Sequence, residues 1–392
     1  MRPTIEDIDL YSDAMIESPW DGYARIRDTA SAVWLPQNNM WAAGRYADVR
    51  AILADHDGFI SSKGVSGNDL TNSTSQGNTL VSDPPDHTLR RGVISRPLHP
   101  RALRDIQPRI EAEANRLIED LLSRDSFDAM TDLAQHLPLT IVSDLVGIPE
   151  AGRTRMLDWA AATFDAIGGD NARTDAARPR LAEMRAFMTS PETQAALKPG
   201  GWAAQLFQAA DAGEVDPALC PTLMRDYLGP SLDTTIFATG HIVRRLAETP
   251  GAWDRLRAEP RLIGNAINEA VRVDSPIRTF TRVAARDIVV GDVPLSAGDR
   301  IAVLYASGNR DPRHWDNPDV YDLDRNANTH LGFGHGIHAC VGMQLARLEM
   351  RALLEAMIAR VATIETGTPV QAINNVLYGF EALPARFIPD GQ

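Results

Sequence analysis

Apolar residues recur at helical spacing along much of the chain. Ile110, Leu117 and Leu121 form one apolar stripe, and a helical pattern extends from about Leu103 to Ile148. Further helices are predicted over residues 155–167, 176–188, 223–247 and 262–273. Breaks are expected at residues 168–171, at Pro191 and at residues 198–201, where Gly and Pro cluster. The pattern therefore predicts a mainly α-helical protein.

Strand signals are short and lie mostly after Pro276. Residues 288–293 lead through Pro294 and Gly298 into residues 301–305, and this pattern predicts a β-hairpin with a glycine turn. The β-structure is therefore expected to be a small part of the fold.

The segment Ser61–Thr79 is rich in Gly, Ser, Asn and Thr. An interdomain linker should separate two self-sufficient cores, yet only about sixty residues precede this segment, which is marginal for an independent core. Long polar loops inside a domain usually serve a site. We therefore expect a loop over a functional site.

Composition narrows the class of function. The chain has 392 residues, with 39 Lys and Arg against 52 Asp and Glu, giving a formal net charge of −13. This balance argues against binding nucleic acid or an anionic membrane surface. Two cysteines cannot form a disulfide framework, and no apolar run has the length of a membrane-spanning helix. We expect a soluble cytoplasmic protein.

Candidate chemistry concentrates in residues 330–342, which read HLGFGHGIHACVG. Glycines at this density indicate close backbone approach or positive φ angles. Apolar residues at Val341, Leu345 and Leu348 then predict a helix that begins beside Cys340. Amide N–H groups and the helix dipole at such a position favour a thiolate.

Several interpretations of this segment compete. A buried structural cysteine would leave the glycines unexplained. A zinc site could use His335, His338 and Cys340, but a structural site needs a fourth ligand and Cys220 is the only other thiol. The run Gly334–Ala339 matches a short dinucleotide-binding fingerprint, yet no buried strand is predicted before it.

The run Phe333-Gly334-x-Gly336-x-His338-x-Cys340-x-Gly342 resembles the haem-binding loop of the cytochrome P450 monooxygenases. The resemblance extends from about Trp20 to the end of the chain. It implies a mainly α fold, a helical bundle around one haem b with a small β region, and a single domain over residues 1–392. It also implies that Cys340 is the axial ligand of the haem iron.

A second match is Glu269-Ala270-Val271-Arg272, which resembles the Glu-x-x-Arg helix of the family. Residues at i and i+3 share a helix face, so Glu269 and Arg272 can form an ion pair. In the family this pair joins an arginine of a downstream meander, a position that Arg325 matches. The resemblance implies a structural triad that supports the haem side.

A third match is Asp233-Thr234, in the middle of the predicted helix 223–247. The family places a catalytic acid and alcohol there, over the haem, where they deliver protons. An ordinary alternative is a threonine hydroxyl bonded to a preceding carbonyl beside a solvated aspartate. Pro230-Ser231 replaces the usual Ala-Gly, and because proline removes a helical N–H, we expect a local distortion.

The resemblance also supplies residues for the haem propionates. His87 and Arg91 lie at i and i+4 of a predicted helix and match the family's propionate-binding helix. Arg282 and His338 match the two remaining propionate positions. Taken singly, each would be interpreted as a surface cation.

The implied activity is insertion of one oxygen atom from O2 into a small organic substrate, by hydroxylation or O-demethylation. The implied partners are a ferredoxin and an NAD(P)H-dependent ferredoxin reductase. A basic patch of Arg96, His99, Arg101 and Arg104 is either a docking surface for the ferredoxin or a solvated helix face. A peroxide-driven peroxygenase and a haem sensor without turnover are alternatives, and Asp233-Thr234 argues against peroxide use.

The substrate follows only from position. The family positions that line the pocket are matched by Leu80, Asp226, Gly229, Arg278, Phe280 and Phe380. Residues 224–235 most resemble members that act on small para-substituted aromatic acids and aryl ethers, as in aromatic compound catabolism. The acid-binding members carry a cation in the loop matching Thr74–Gly77, and this chain has none. We therefore expect a small aromatic substrate, a methoxyphenol or a benzoate, and the missing cation favours the neutral methoxyphenol. Arg278 could replace the cation, which would favour the benzoate. A terpenoid or a fatty acid is the alternative.

Overall fold

A computed structural model describes residues 2–391. The long helices form where the apolar stripes of the sequence are longest. In chain order the α-helices are α1 (Asp13–Glu17), α2 (Trp20–Thr29), α3 (Tyr46–Ala54), α4 (Asp69–Thr74), α5 (Asp86–Ile94), α6 (Pro100–Leu122), α7 (Ser143–Val146), α8 (Glu150–Arg153), α9 (Met156–Ile167), α10 (Ala172–Thr189), α11 (Pro191–Ala195), α12 (Trp202–Asp211), α13 (Cys220–Leu228), α14 (Asp233–Glu248), α15 (Ala252–Ala258), α16 (Ile263–Asp274), α17 (Tyr305–Gly308) and α18 (Met343–Ile358). Five short 3₁₀ turns cover Pro36–Asn38, Arg96–Leu98, Pro217–Leu219, Pro260–Leu262 and Gly336–His338, within the described part of the chain. Two π-helical turns cover Ala129–Ala134 and Pro138–Val142.

The strands are short. They are β1 (Val33–Leu35), β2 (Met40–Ala43), β3 (Phe59–Ile60), β4 (Phe127–Asp128), β5 (Thr279–Ala284), β6 (Ile288–Val290), β7 (Val293–Leu295), β8 (Arg300–Leu304), β9 (Val361–Thr366), β10 (Val370–Gln371), β11 (Phe380–Ala382) and β12 (Pro384–Pro389). A five-stranded sheet has the order β1-β2-β8-β5-β3, and a three-stranded sheet has the order β4-β12-β9. In the larger sheet β2 runs parallel to β8 with Trp41 opposite Ile301, whereas the other pairs are antiparallel.

The predicted hairpin is wrong in its pairing. Strand β6 pairs with β7, with Val290 opposite Val293. Gly291 takes a φ of 61°, a left-handed conformation that glycine adopts without strain, and so the chain reverses one strand earlier than expected. Strand β8 instead lies between β2 and β5. The strands before Pro276 were not predicted, because each has only two to four residues.

The predicted helix 223–247 is two helices. Helix α13 ends at Leu228 and α14 begins at Asp233, because Pro230 has no N–H to continue the first helix. The pattern from 103 to 148 is also not one type of structure: α6 ends at Leu122, and β4 and the π-helical turns follow. The breaks expected at residues 168–171 and 198–201 lie between helices, whereas Pro191 begins α11.

The described residues form two large apolar cores and one small apolar cluster around Phe164 and Leu377. The larger is built from the helical part, in which α18 packs along α6 and α14 packs against α16. Helix α14 is buried on nearly every side, as expected of a helix in the middle of a large core. The smaller core joins the N-terminal segment to the five-stranded sheet. Within residues 2–391, no helix combines the length and the apolar character needed to cross a membrane.

Candidate active site

A cavity of about 250 Å³ lies where α5, α13, α14 and β5 face the segment 331–342. Its walls also include residues of the segment Ser61–Thr79, which contains α4. Asn68 holds this segment in place: its oxygen accepts the Thr71 N–H, and its amide donates to the carbonyl oxygens of Ala166 and Gly168. The polar segment expected to cover a site thus lines this cavity.

The loop before Cys340 is shaped by its glycines. Gly334 and Gly336 have φ angles of 72° and 71°, and a Cβ atom on Gly336 would collide with the carbonyl oxygen of Leu53. The N–H of Cys340 donates to the carbonyl oxygen of Phe333 at 2.8 Å, which closes the loop. Cys340 therefore presents its sulfur to the cavity just before α18 begins.

Two opposed effects act on this thiol. The Cys340 side chain is exposed to the cavity, yet desolvation by the surrounding protein raises its pKa, whereas the N–H groups of Gly342 and Met343 and the Arg91 guanidinium lower it. We expected the helix start to favour the thiolate; the structure shows that contribution, but burial outweighs it. A coordinated metal ion reverses the balance, because a coordinating thiol is deprotonated.

Four groups at one edge of the cavity fit a bound anion. The rings of His87 and His338 lie 4.4 Å apart, and neither Nε2 has a hydrogen-bond partner among the described residues. Arg91 donates to the carbonyl oxygen of Ala339 at 2.5 Å, and Arg282 also lines the cavity. Unpartnered buried nitrogens are costly, so they indicate a ligand. Haem propionates would supply the acceptors that the two imidazole rings lack.

These two imidazoles are neutral near pH 7. Burial is the main cause, and it lowers the pKa of His338 to about 2 and also lowers the pKa of His87. Each ring can therefore offer one N–H, while the positive charge at this edge comes from Arg91 and Arg282. The donor set suits two carboxylates.

Asp233 and Thr234 lie at the start of α14, beside the break. Thr234 lines the cavity, and its hydroxyl donates to the carbonyl oxygen of Pro230 at 2.9 Å, which is the ordinary helical bond that the sequence left as an alternative. Asp233 is buried beside the cavity wall and does not line it. Burial, with a smaller effect from Asp165, raises the pKa of Asp233 to about 7. The pair thus combines a hydroxyl in the cavity with an acid that exchanges protons near neutrality.

Glu269, Arg272 and Arg325 meet as the resemblance implies. Arg272 donates twice to the Glu269 carboxylate at 2.7 Å, and Arg325 donates to it at 2.9 Å. Arg272 also donates to the carbonyl oxygens of Asn309 and Pro318 at 2.7 Å. Glu269 and Arg272 are completely buried. The triad joins α16 to the segment that precedes the Cys340 loop.

Three of the predicted pocket residues, Leu80, Asp226 and Phe280, line the cavity. Gly229 and Phe380 do not line it. Gly229 lies at the end of α13 against Thr163, and the Phe380 ring packs against His241. Their assignment to the substrate pocket therefore stays a prediction that the lining of this cavity does not support.

Arg278 also lies outside the residues that line this cavity. Its guanidinium is fully buried and donates to the carbonyl oxygens of Asn375 and Leu10 and to the Tyr23 hydroxyl. Arg278 therefore ties the N-terminal segment to the C-terminal region and is not available to a substrate carboxylate.

Two polar residues of the cavity were missed. Arg225 lines it, and the only signal was its place in the run beside Asp226. Glu349 is 1% exposed, and neither carboxylate oxygen has a hydrogen-bond partner within the described chain. Burial raises the pKa of Glu349 to about 8. An acid four residues after Leu345, on the apolar face of α18, was the available signal.

The alternatives for the Cys340 loop can now be compared with the geometry. Across residues 2–391, no three His, Cys, Asp or Glu side chains are grouped so as to hold a metal ion, which removes the zinc site. Residues 326–330 contain one turn and no strand, so the dinucleotide-binding fingerprint lacks its context. A thiol that faces a cavity edged by propionate-type donors defines a haem-thiolate site.

Comparison with known proteins identifies the family. The family model described as Cytochrome P450 matches residues 221–376. The chain is 36% identical over 387 residues to cytochrome P450 CYP199A2 of Rhodopseudomonas palustris, covering 97% of this chain and 94% of the relative. It is 29% identical over 422 residues to linalool 8-monooxygenase of Pseudomonas putida, covering 99% of both. The chain belongs to the cytochrome P450 family.

Solved structures agree on the fold. P450BioI, in complex with an acyl carrier protein carrying hexadec-9Z-enoic acid, superposes with a TM-score of 0.86 at 24% identity, covering 96% of this chain and 99% of that one. The protein therefore has the mainly α P450 fold with a small β region. As a P450 it is a monooxygenase-family protein that binds haem b through a cysteine thiolate.

Proposed function

We propose that this P450 inserts one oxygen atom from O2 into a small neutral aromatic ether, and that O-demethylation is its main outcome. Cys340 is the axial ligand, and His87, Arg91, Arg282 and His338 bind the propionates. The observation that carries the substrate class is the charge of the cavity: the loop 74–77 has no cation, Arg278 lies outside the lining, and Arg225 stands beside Asp226.

A substrate carboxylate would be poorly compensated in such a cavity. Burying a charge without an opposite charge is costly, and the positive charge of Arg225 is already opposed by its neighbour. The rest of the wall is largely apolar, with Phe164, Leu181 and Phe280 among its members, and suits an aromatic ring. The resemblance of residues 224–235 to members that act on small aromatics supports the same class.

The residues of the chain then have separate tasks. The bound haem supplies oxygen activation, for which the thiolate donates electron density. Thr234 offers a hydroxyl inside the cavity, and Asp233 can release and recover a proton near pH 7. Hydroxylation of a methoxy carbon gives a hemiacetal, which breaks down to a phenol and formaldehyde; O2, two electrons and two protons balance the reaction with one water.

The electrons are proposed to come from a ferredoxin and its NAD(P)H-dependent reductase. Arg101 and Arg104 are exposed on α6 and can face an acidic partner, whereas Arg96 is paired with Glu214. If Arg101 and Arg104 only form a solvated helix face, replacing both should leave the KM for ferredoxin unchanged. If they dock the ferredoxin, the variant should have a higher KM than the wild type at low salt, and the two KM values should become equal at high salt.

The test is reconstitution with ferredoxin, reductase and NADH on a panel of methoxyarenes, benzoates and terpenes. We expect O2-dependent formaldehyde from the methoxyarenes and little product from the benzoates. The relative linalool 8-monooxygenase favours a second candidate, a terpenoid hydroxylase, which predicts hydroxylated terpene instead. Equal product with peroxide alone would support a peroxygenase, and haem binding without any product would support a sensor.

A further inference from the structure

The cavity has one polar end, formed by Ser75, Thr79, Arg225 and Asp226. This polar end joins α13 to the segment Ser61–Thr79. The Asp226 carboxylate accepts the N–H of Thr79 at 3.0 Å, and Arg225 donates to the carbonyl oxygen of Ser75 at 3.4 Å. Two elements that are far apart in sequence therefore build this end together.

Hydrogen-bonding capacity remains unused at the polar end. A carboxylate has about four acceptor sites, and the structure records one bond to Asp226. Burial raises the pKa of Asp226, and the nearby Thr79 N–H and Thr79 hydroxyl oppose that rise. The Thr79 hydroxyl is buried, and its contact with the carboxyl group lacks good hydrogen-bond geometry. A buried hydroxyl without a partner and an underused carboxylate, both lining one cavity, indicate a polar ligand group.

The charges at this end distinguish between ligand groups. Burial raises the pKa of the Asp226 carboxyl group, so this end of the cavity already disfavours one negative charge. A substrate carboxylate placed here would bring a second carboxyl group into the same desolvated space, where two negative charges at short range repel. A neutral hydroxyl group avoids this repulsion: it can donate to Asp226 and accept from the Thr79 hydroxyl or from Arg225. A methyl group in the same place would leave the remaining hydrogen-bonding capacity of Asp226 and of the Thr79 hydroxyl unused.

We propose that Asp226 determines substrate specificity by accepting a hydrogen bond from a hydroxyl group of the substrate, so that this P450 selects phenols over the corresponding carboxylates. The inference rests on the proposed function for the aromatic part of the substrate. It goes beyond that function because it assigns the substrate group and the residue that recognises it.

The experiment is a spin-state titration of the haem-loaded protein with matched ligands. One set is 4-methoxyphenol, 4-methoxytoluene and 4-methoxybenzoate, and a second pair is 4-methylcyclohexanol and 1,4-dimethylcyclohexane. The proteins are the wild type, Asp226→Leu, Asp226→Asn, and Asp254→Leu as a control that removes an exposed acid from α15. Asp226→Asn keeps an acceptor for the Thr79 N–H, so it separates recognition from local folding.

The measured quantity is the ratio of dissociation constants for the methyl and hydroxyl ligands. We expect the wild type and Asp254→Leu to prefer 4-methoxyphenol about tenfold, the value typical of a hydrogen bond to a charged group. We expect Asp226→Leu to lose this preference, Asp226→Asn to retain part of it, and both Asp226 variants to bind 4-methoxybenzoate more tightly than the wild type. Merely structural damage would weaken all ligands and leave the ratio unchanged.

Each result decides between the two proposals. A ratio near one in the wild type, or an unchanged ratio in Asp226→Leu, overturns the role of Asp226 even if the aromatic ethers are demethylated. If the aromatic ligands cause no spin-state change, while the cyclohexane pair shows a preference for the hydroxyl ligand that depends on Asp226, the aromatic function is overturned and the role of Asp226 is kept. No response to any ligand contradicts both.

Discussion

Replacing Glu269 by Gln should destabilise the protein far more than any surface ion pair does. The Glu269 carboxylate accepts two bonds from Arg272 at 2.7 Å, one from Arg325 at 2.9 Å and one from the Asp322 N–H at 3.1 Å. Glutamine keeps the size of the side chain but leaves the two guanidinium groups without an anion. Removing one partner of a buried ion pair typically costs about 3–5 kcal/mol, and Arg272 is completely buried.

Glu355→Gln is the matched control. Glu355 and Arg351 form an exposed i,i+4 pair on α18 at 3.6 Å, for which a contribution of about 0.3–0.5 kcal/mol is expected. The assay is urea unfolding of the haem-loaded proteins, with the absorbance of the haem recorded to follow its loss. A destabilisation by Glu269→Gln of less than 1 kcal/mol, or one equal to that of the control, would refute the reasoning.

Three further predictions concern the cavity. The pKa of Glu349 is raised to about 8, so the folded state holds a proton that the unfolded state loses above about pH 4.5. The free energy of unfolding should therefore fall between about pH 5 and 8, and Glu349→Gln should reduce that fall in urea titrations. An unchanged dependence of the unfolding free energy on pH in Glu349→Gln would contradict the prediction. Gly336→Ala should reduce haem retention, because the new Cβ atom would meet the carbonyl oxygen of Leu53. Gly298→Ala is the control, because Gly298 also has a positive φ but has open space around it, and this variant should retain haem. Equal haem loss in both variants would assign the effect to backbone strain alone. Thr234→Ala should lower the amount of product formed per NADH consumed. Thr239→Ala is the control, because it removes the same type of helical hydrogen bond outside the cavity, and it should leave that ratio unchanged. An unchanged ratio in Thr234→Ala would contradict the role assigned to Thr234.

The parts of the site that sequence predicts best are those with short-range causes. The Cys340 loop depends on glycines within a few residues of the sulfur, and the Glu269–Arg272 pair depends on one helical turn. Such features are visible in the sequence because the atoms that interact are close along the chain. Haem binding could be predicted for this reason.

The substrate region behaves differently, because it depends on how distant segments pack. Arg278 and Arg225 are both arginines, but contacts with the N-terminal segment hold Arg278 outside the cavity lining. Arg225 lies on α13 and lines the cavity, where it donates to the carbonyl oxygen of Ser75. The sequence predicted the distortion at Pro230 but not a complete separation of α13 from α14. The positions of Gly229 and Phe380 relative to the cavity could likewise not be predicted from the sequence, because they depend on how α13 and β11 pack in the fold.

Strand pairing shows the same limit. The residues of β6, β7 and β8 were recognised as β-structure, but their partners depend on a positive φ at Gly291 and on strands β2 and β5. Local patterns predict that a segment is extended, whereas the sheet it joins is a tertiary property. The small strands before α4 were missed because each has only two to four residues.

The most direct test of the central claim, that Cys340 holds the haem iron, is the absorption spectrum of the reduced, CO-bound protein. We predict a far-red-shifted Soret band for the wild type and for Cys220→Ala, because Cys220 is buried against the carbonyl oxygen of Leu206 and does not line the cavity. We predict loss of that band in Cys340→Ala. A histidine-type spectrum in the wild type, or a red-shifted band that persists in Cys340→Ala, would contradict the account.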